Sequence, residues 1–424
     1  METAMRNLLV LVALLLPAAA FAGGYAVPNT NARDLALAGS AGAAQKDATA
    51  AYVNPAALAG LEGLSVVVNG TLIDFRSTWN DPSGNSVSSQ SNLKPALPPS
   101  VFASYSGKLE NGMGWGAGFG FNIPFGGNVY WKGDWPGRFE IITVDRRSYG
   151  FYFTGGFQPL KQIKVGGGLI YYHTTEELVQ GFNFLSNEGG AAIGTSGGKV
   201  SFDVSTEITP FEEIPLTIGI DYKHKADQVL TGHAHFDGAP PALGPNTLDQ
   251  SASHALSLPN LLNVAVAYRV IPNLLVTGAF TWDRFIVYKQ DAFLGDLGTN
   301  VIVPRNYKNG HTYRLGAEYE DLVPKMTLRA GFLRDIAPTR PEFLNASIPD
   351  ADVTAVSIGL GYEIYPGLAL NATYFHAFYD DITTVGNEVF AGRYETRANI
   401  VTVGLTFRPG EKPRGLSAGL TGIR

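Results

Sequence analysis

The stretch Val401-Thr402-Val403-Gly404-Leu405-Thr406-Phe407 decides the fold class, because its two faces differ. Successive side chains of an extended chain point to opposite sides. Val401, Val403, Leu405 and Phe407 therefore form an oily face, and Thr402, Gly404 and Thr406 a small polar one. The pattern runs backward through the chain. Val356, Ile358, Leu360 and Tyr362 alternate with Ala355, Ser357, Gly359 and Gly361, and Val264, Val266 and Tyr268 with Asn263, Ala265 and Ala267. Leu328, Ala330 and Phe332 alternate in the same way with Thr327, Arg329 and Gly331.

A secreted sandwich also alternates, so the connections decide where such strands live. Fourteen strands can be read, and the segments joining them alternate in length. Short ones are Leu109 to Gly112, Pro159 to Lys161, the stretch around Pro210, Ile271 to Asn273, Asp321 to Lys325 and Tyr365 to Gly367. Long ones run over 76–98, 123–145, 180–197, 234–256, 291–307, 336–351 and 380–396. Tight turns at one rim and long loops at the other characterise outer-membrane barrels, and an even strand count leaves both termini on the periplasmic side. Tyr171, Tyr222, Tyr268, Tyr319, Tyr362, Tyr374 and Phe407 fall near strand ends, where interfacial aromatic girdles sit. The expectation is an all-β transmembrane barrel of about 14 antiparallel strands over residues 64–408, standing as a monomer in outer-membrane lipid.

Composition agrees with this reading. Only 16% of the 424 residues are charged, against about 25% in soluble domains, and 50 are Gly. A net charge of -6 gives no basic surface for a nucleic acid. The absence of Cys removes thiolate metal sites and suits an oxidising compartment. Residues 1–22 read as a signal peptide. Arg6 is the basic residue, Leu8 to Leu16 the apolar core, and Ala20-Phe21-Ala22 the cleavage site, with cleavage after Ala22.

Residues 23–63 lack alternation. The segment is rich in Ala and Gly, with helix caps available at Asn31 and Asp47, and a lumen fourteen strands wide needs water or a filling. A small, partly helical hatch is expected to plug the barrel. The string Asp47-Ala48-Thr49-Ala50-Ala51-Tyr52-Val53-Asn54-Pro55-Ala56-Ala57-Leu58 resembles the hatch motif of the FadL/TodX family of outer-membrane transporters for long-chain fatty acids and aromatic hydrocarbons. Gly118 to Gly127 followed by Trp135-Pro136-Gly137-Arg138, then Tyr313 to Tyr319, Leu328 to Gly331 and Ile348-Pro349-Asp350, are similar to the same family and keep its order.

The resemblance implies passive uptake of hydrophobic compounds such as long-chain fatty acids, with aromatic hydrocarbons or alkanes as the alternative cargo. It implies barrel assembly machinery as a partner during biogenesis, Asn54, Pro55 and Ala56 as hatch motif, and Tyr25 close to ligand. Family members end on a terminal aromatic residue, whereas here residues 409–424 follow as an expected periplasmic extension.

A greasy solute needs capture, shelter and exit. Phe182, Phe184 and Leu185, with Phe236, Leu243 and Leu248, are apolar residues on expected outer loops and are read as capture surface. A carboxylate head would need a buried cation. Period-two phasing points Arg146, Lys223, Arg269, Arg314 and Arg329 inward, and of these Arg146, Arg269, Arg314 and Arg329, with Tyr25, are read as candidate pocket residues. The rest of the lumen reads as small and neutral. Gly114, Gly116, Gly118 and Gly120 leave one face of the third strand bare, and Pro124 cannot donate to a ladder, so this strand is the expected place for a kink and a lateral exit.

Two signals for other chemistry are weak. Gly194-Thr195-Ser196-Gly197-Gly198 fits G-x-S-x-G, but a nucleophile elbow needs a strand-to-helix turn, and this string is read as lying in a Gly/Ser-rich loop. His233, His235 and Asp237 are too few for a fixed metal site. An outer-membrane hydrolase or adhesin is the alternative of another class. No catalytic residue, metal, cofactor or nucleic-acid partner is expected.

Overall fold

The computed structural model describes residues 25–28, 30–89, 96–183, 187–240, 244, 247–386 and 390–409. The expected signal peptide, residues 410–424 of the expected extension, and Phe184, Leu185 and Leu243 lie outside the described residues.

The chain forms a closed antiparallel barrel of fourteen strands. They are β1 (Gly63–Asn80), β2 (Pro99–Lys108), β3 (Gly114–Tyr130), β4 (Thr143–Leu160), β5 (Ile163–Asn183) and β6 (Glu188–Ile208). The next four are each in two segments: β7 (Leu216–Lys223 and Ala226–Asp237), β8 (Gln250–Leu258 and Leu261–Ile271), β9 (Leu274–Asp283 and Gln290–Gly295) and β10 (Asn300–Pro304 and Gly310–Glu320). The last are β11 (Met326–Ile336), β12 (Val353–Tyr365), β13 (Leu368–Tyr379) and β14 (Arg393–Phe407). Closure is made by β1 on β14, in a ladder that runs from Val66 opposite Phe407 to Asn80 opposite Arg393. A closed sheet has no open edge, so ladder pairing runs on around the barrel.

The quoted terminal stretch behaves as its pattern requires. Val401 and Val403 are 40% and 47% exposed on the outer wall, while Thr402 between them is 2% exposed. Leu64, Val68 and Leu72 on β1, and Ile358, Leu360 and Tyr362 on β12, continue the same outward apolar surface. No described helix is long and apolar enough to cross a membrane. The outer wall alone supplies the contact with lipid.

Three of the expected long loops are largely strand. The 180–197 stretch is the end of β5 and the start of β6, paired from Val179 opposite Ala192 to Asn183 opposite Glu188. Much of 234–256 and 291–307 likewise continues β7 to β10. The first of these is rich in Gly, Ala and Ser, which obscures its alternation. Above the bilayer an outward side chain has no lipid to match, so alternation in hydropathy fades while the ladder persists. The Gly194 to Gly198 string therefore lies in β6, with no helix after it to make an elbow.

Inside, the N-terminal segment forms α1 (Ala32–Ala36), α2 (Ala50–Val53) and two 3-10 turns, Ala41–Ala43 and Pro55–Gly60. The side chain of Asn31 caps α1 by accepting the Asp34 N–H at 2.6 Å. Helices this short are unstable alone. Here the barrel holds them, because hydroxyls on its inner wall take the carbonyls that the helices leave open. Thr154 donates to Ala51 O at 3.0 Å and Ser357 to Ala36 O at 2.9 Å, while Ser205 accepts the Ala56 N–H at 2.9 Å.

The glycines of the inner wall explain how close the contact is. A Cβ added at Gly116 would lie 2.5 Å from Leu58 O, at Gly156 2.6 Å from Pro55 O, and at Gly166 2.3 Å from the backbone N of Ala56. The bare face of β3 is thus occupied by hatch backbone. Above the hatch, residues between β3 and β4 and between β11 and β12 fold inward. Trp131 stacks on Trp135 at 4.2 Å, and Trp79 on Phe390 at 4.5 Å.

Gly166→Val is expected to unseat the hatch while the barrel still closes, costing about 1–3 kcal/mol of docking through overpacking. Limited trypsin digestion at the buried Arg33 and half-buried Lys46 measures it. Gly70→Val, which meets open space, should leave the digestion unchanged.

Candidate functional site

A cavity of about 190 Å³ lies between hatch and wall. Its floor is hatch, with Asp34, Leu35, Ala38, Tyr52 and Val53. On one side Val353, Phe375, Ala377 and Tyr379 from β12 and β13 form an apolar wall. Adjoining it around the barrel stand Asp335 on β11, Thr312 and Arg314 on β10, Thr281 and Asp283 on β9, Asn263 on β8, and Asp221 and Lys223 on β7. The wall is therefore neither small nor neutral at this depth, contrary to the sequence expectation.

The cavity reaches Pro124 and Phe125, where β3 breaks step with β4. Register runs evenly to Asn122 opposite Gly150 and resumes at Phe125 opposite Ser148. Pro124 lacks an N–H, and its carbonyl is turned to the N-terminal segment instead. Val27 N–H donates to Pro124 O at 2.8 Å, Gly126 N–H to Tyr25 O at 2.7 Å, and Ala26 bridges to Phe125. The break thus lies beyond the run of Gly114, Gly116, Gly118 and Gly120. Hatch atoms cover the first three, and a Cβ at Gly120 would meet Phe102 at 3.0 Å.

Of the expected pocket residues, Arg314 lines this cavity, with a guanidinium N–H donated to Thr281 Oγ1. Tyr25 is buried beside it, donating to Ser257 O at 2.6 Å and packed edge-on against Phe125, Phe285 and Tyr288. Arg146 sits 5.5 Å from the Tyr25 ring centre in a closed network with Glu176 at 2.7 Å and Asp291 at 3.1 Å. His254 joins Glu176 at 2.6 Å, and Arg305 joins Asp291 at 2.8 Å. That network has its charges answered.

Arg329 is on the far side of the hatch, bonded to Glu318 at 2.8 Å and Asn371 at 2.9 Å. Arg269 stands at the short-turn rim, where it donates to Pro272 O at 2.7 Å. Parity along a strand puts all four arginines inward, but depth along the barrel separates them.

Sequence reasoning passed over Asp283 and Asp335. Both carry the inward parity of Thr281 and Arg329, and a search for acceptors as well as cations would have found them.

Asn54, Pro55 and Ala56 seat the hatch. The Asn54 amide donates to Gly42 O at 2.9 Å, and Pro55 and Ala56 lie on the Gly156 and Gly166 wall. At the outer end, Phe182 and Phe236 meet at 6.4 Å between ring centres and line a second, smaller cavity with Ile193 and Phe293. They belong to the ends of β5 and β7, whereas Leu248 lies in the 238–249 connection and is exposed. His235 bonds Asp249 at 2.7 Å at the same rim.

Comparison with known proteins matches this architecture. The model of the family described as outer membrane protein transport protein (OMPP1/FadL/TodX) matches residues 13–408. The outer membrane protein NMB0088 of Neisseria meningitidis serogroup B is 21% identical, with 92% of this chain and 96% of that protein covered. Outer membrane protein P1 of Haemophilus influenzae is 30% identical over 31% of this chain and 30% of its own length. Among solved structures, a Pseudomonas aeruginosa FadL homologue superposes with a TM-score of 0.80 at 20% identity, covering 91% of this chain and 99% of its own. The toluene transporter TodX of P. putida gives 0.71 at 14% identity, covering 92% and 98%. Both likenesses show the fold.

The hatch carries its own charges into the lumen. Arg33 grips Glu318 through Nε at 2.7 Å and Nη2 at 3.1 Å, and Lys46 reaches both Glu318 and Glu320. Burial works against the charge on Arg33, but Glu318 outweighs it and holds the guanidinium above its usual value. Burial lowers Lys46, with Arg33 adding to the effect and Glu318 opposing it.

Asp34 is raised by burial, against the opposing pull of the Thr30 hydroxyl, the Ala41 N–H and the two arginines, Arg33 and Arg314. A carboxyl raised in the folded state contributes its stability at low pH and loses it as pH rises through the folded value. Asp34→Asn is therefore expected to hold the hatch more firmly at neutral pH, with the advantage shrinking as pH falls toward about 4. Protease release of the hatch, followed against pH for both proteins, reads the difference. A variant that releases faster at pH 7 would contradict it.

Proposed function

The chain belongs to the OMPP1/FadL/TodX family of outer membrane transport proteins, and from that premise we propose that it takes up hydrophobic compounds passively, through capture at the outer rim, shelter above the hatch and lateral exit through the wall of β3. The observation that carries this reading is the meeting of the cavity with the ladder break at Pro124 and Phe125. A hydrophobic solute gains nothing by entering water, so a route from an internal pocket into the lipid is the economical one. Phe182 and Phe236 supply an apolar landing surface. The solute's own gradient drives the movement, with no nucleotide or redox cofactor, in a monomer assembled into the outer membrane by the barrel assembly machinery.

Cavity size favours a compact cargo. An engineered cavity of about 150 Å³ holds one benzene molecule. At about 190 Å³, this one suits a single aromatic ring or a short alkyl segment better than a fully sheltered long acyl chain. The toluene named for the P. putida neighbour is of that size.

The exit is tested with a crosslink. Residues facing across an antiparallel bridge lie about 4.5–5.5 Å apart at Cα, within disulfide range, and the chain has no Cys to interfere. Ala26→Cys with Phe125→Cys should abolish uptake of a labelled hydrocarbon when oxidised and restore it on reduction. Unchanged uptake in a fully crosslinked barrel would rule out this exit.

A further inference from the structure

The two halves of the cavity wall pose different requirements to a ligand, and the polar half is incompletely satisfied. Asp335 is 2% exposed; its Oδ1 accepts the Thr312 hydroxyl at 2.6 Å, and its Oδ2 has no partner among the described residues. Asp283 is 6% exposed and lines the same cavity, and its carboxylate accepts no hydrogen bond from a described residue. Ladder register relates the two. Thr281 of β9 faces Thr312 of β10, which faces Asp335 of β11, and two pairs further along Asp283 faces Gly310, which has no side chain to fill the space.

One cation stands in this row. Arg314 donates to Thr281 and forms no ion pair among the described residues. The other cation on the wall, Lys223, is already taken, lying 2.9 Å from Asp203 and 2.5 Å from Asp221. The row runs on from Asp335 into an oily surface, since Asp335 faces Val353, Val353 faces Tyr379, and Phe375 lies on the same strand as Tyr379.

Three kinds of compact ligand can be weighed against this wall. A hydrocarbon would leave the Asp335 oxygen unpaired in a dry space, which is unfavourable. A carboxylate could take Arg314, but Asp34, Asp283 and Asp335 surround the same cavity and repel it. A neutral hydroxyl satisfies both demands, since its oxygen accepts from Arg314 while its O–H donates to an aspartate. We propose that this pocket selects neutral, hydroxyl-bearing hydrophobic molecules, a single-ring phenol being the best fit, over hydrocarbons and carboxylates of the same size. The proposal deepens the uptake reading and rests on it.

The test measures equilibrium binding of 4-ethylphenol, ethylbenzene and 4-ethylbenzoate to the purified full-length barrel in a non-ionic detergent near pH 7. The phenol is expected to bind about tenfold more tightly than either of the others. In Asp335→Leu its advantage over ethylbenzene should disappear while ethylbenzene binding is retained or improved, with Asp283→Asn as a milder second variant and heat-modifiable gel mobility as the check on folding. Equal binding of phenol and ethylbenzene to the parent protein, or tighter binding of the benzoate, overturns the selection while leaving hydrophobic uptake standing. Failure of all three to bind a correctly folded barrel overturns both.

Discussion

The structure depends on backbone meeting backbone across a glycine wall. Closing fourteen strands creates a lumen wider than side chains can fill. The chain fills it with its own N-terminal segment from Ala32 to Gly60, which sits close because Gly116, Gly156 and Gly166 offer no side chain to hold it off. Close approach brings the Leu58, Pro55 and Ala56 backbone within reach of the wall, and hydroxyls such as Ser205, Thr154 and Ser357 then satisfy the polar groups that four-residue and five-residue helices leave open. Removing either half of the arrangement strands the other. Without glycines the helices cannot approach, and without hydroxyls their ends would be buried unpaired.

Charge does the second part of the fixing. Arg33 and Lys46 of the hatch converge on Glu318, which Arg329 also holds from the barrel side. Higher up, Arg146, Glu176, Asp291, His254 and Arg305 close a network that ties β4, β5, β8, β9 and β10 together. Buried charges of this kind contribute more to a unique arrangement than to net stability. Asp291 and Arg305 also line the smaller outer cavity, but they are already bonded to each other. In the cavity between the two networks, Asp335 Oδ2 has no partner among the described residues.

Much of this was legible in the chain. Period-two alternation gave the strand number and the in–out sense of each residue, because lipid outside and hatch inside impose opposite demands on neighbours such as Val401 and Thr402. What alternation does not carry is depth. Arg146, Arg269, Arg314 and Arg329 share a parity, yet one belongs to a closed network, one to the short-turn rim, one to the cavity and one to the underside of the hatch. The glycine face of β3 was visible as a bare surface, but its occupant was not, since the contacts come from carbonyls of Leu58 and Ala59 that every residue possesses. Outside the bilayer the code itself lapses, and the upper halves of β5 and β6 read as loop because their outward residues answer to no lipid.

That lapse shapes the molecule's outer face. β5 and β6 each run 21 residues, roughly 70 Å of contour at about 3.3 Å per residue, whereas about 9–11 residues suffice to cross the apolar band. The hairpin stands as a tall screen on one flank of the mouth, while β11 ends low on the other. Part of its length answers to the membrane, and the rest to its own ladder and to the strands beside it, β4 and β7. The chemistry of the screen, including what it greets or deflects among the sugars around it, is free to drift under selection without disturbing how the barrel sits in its bilayer.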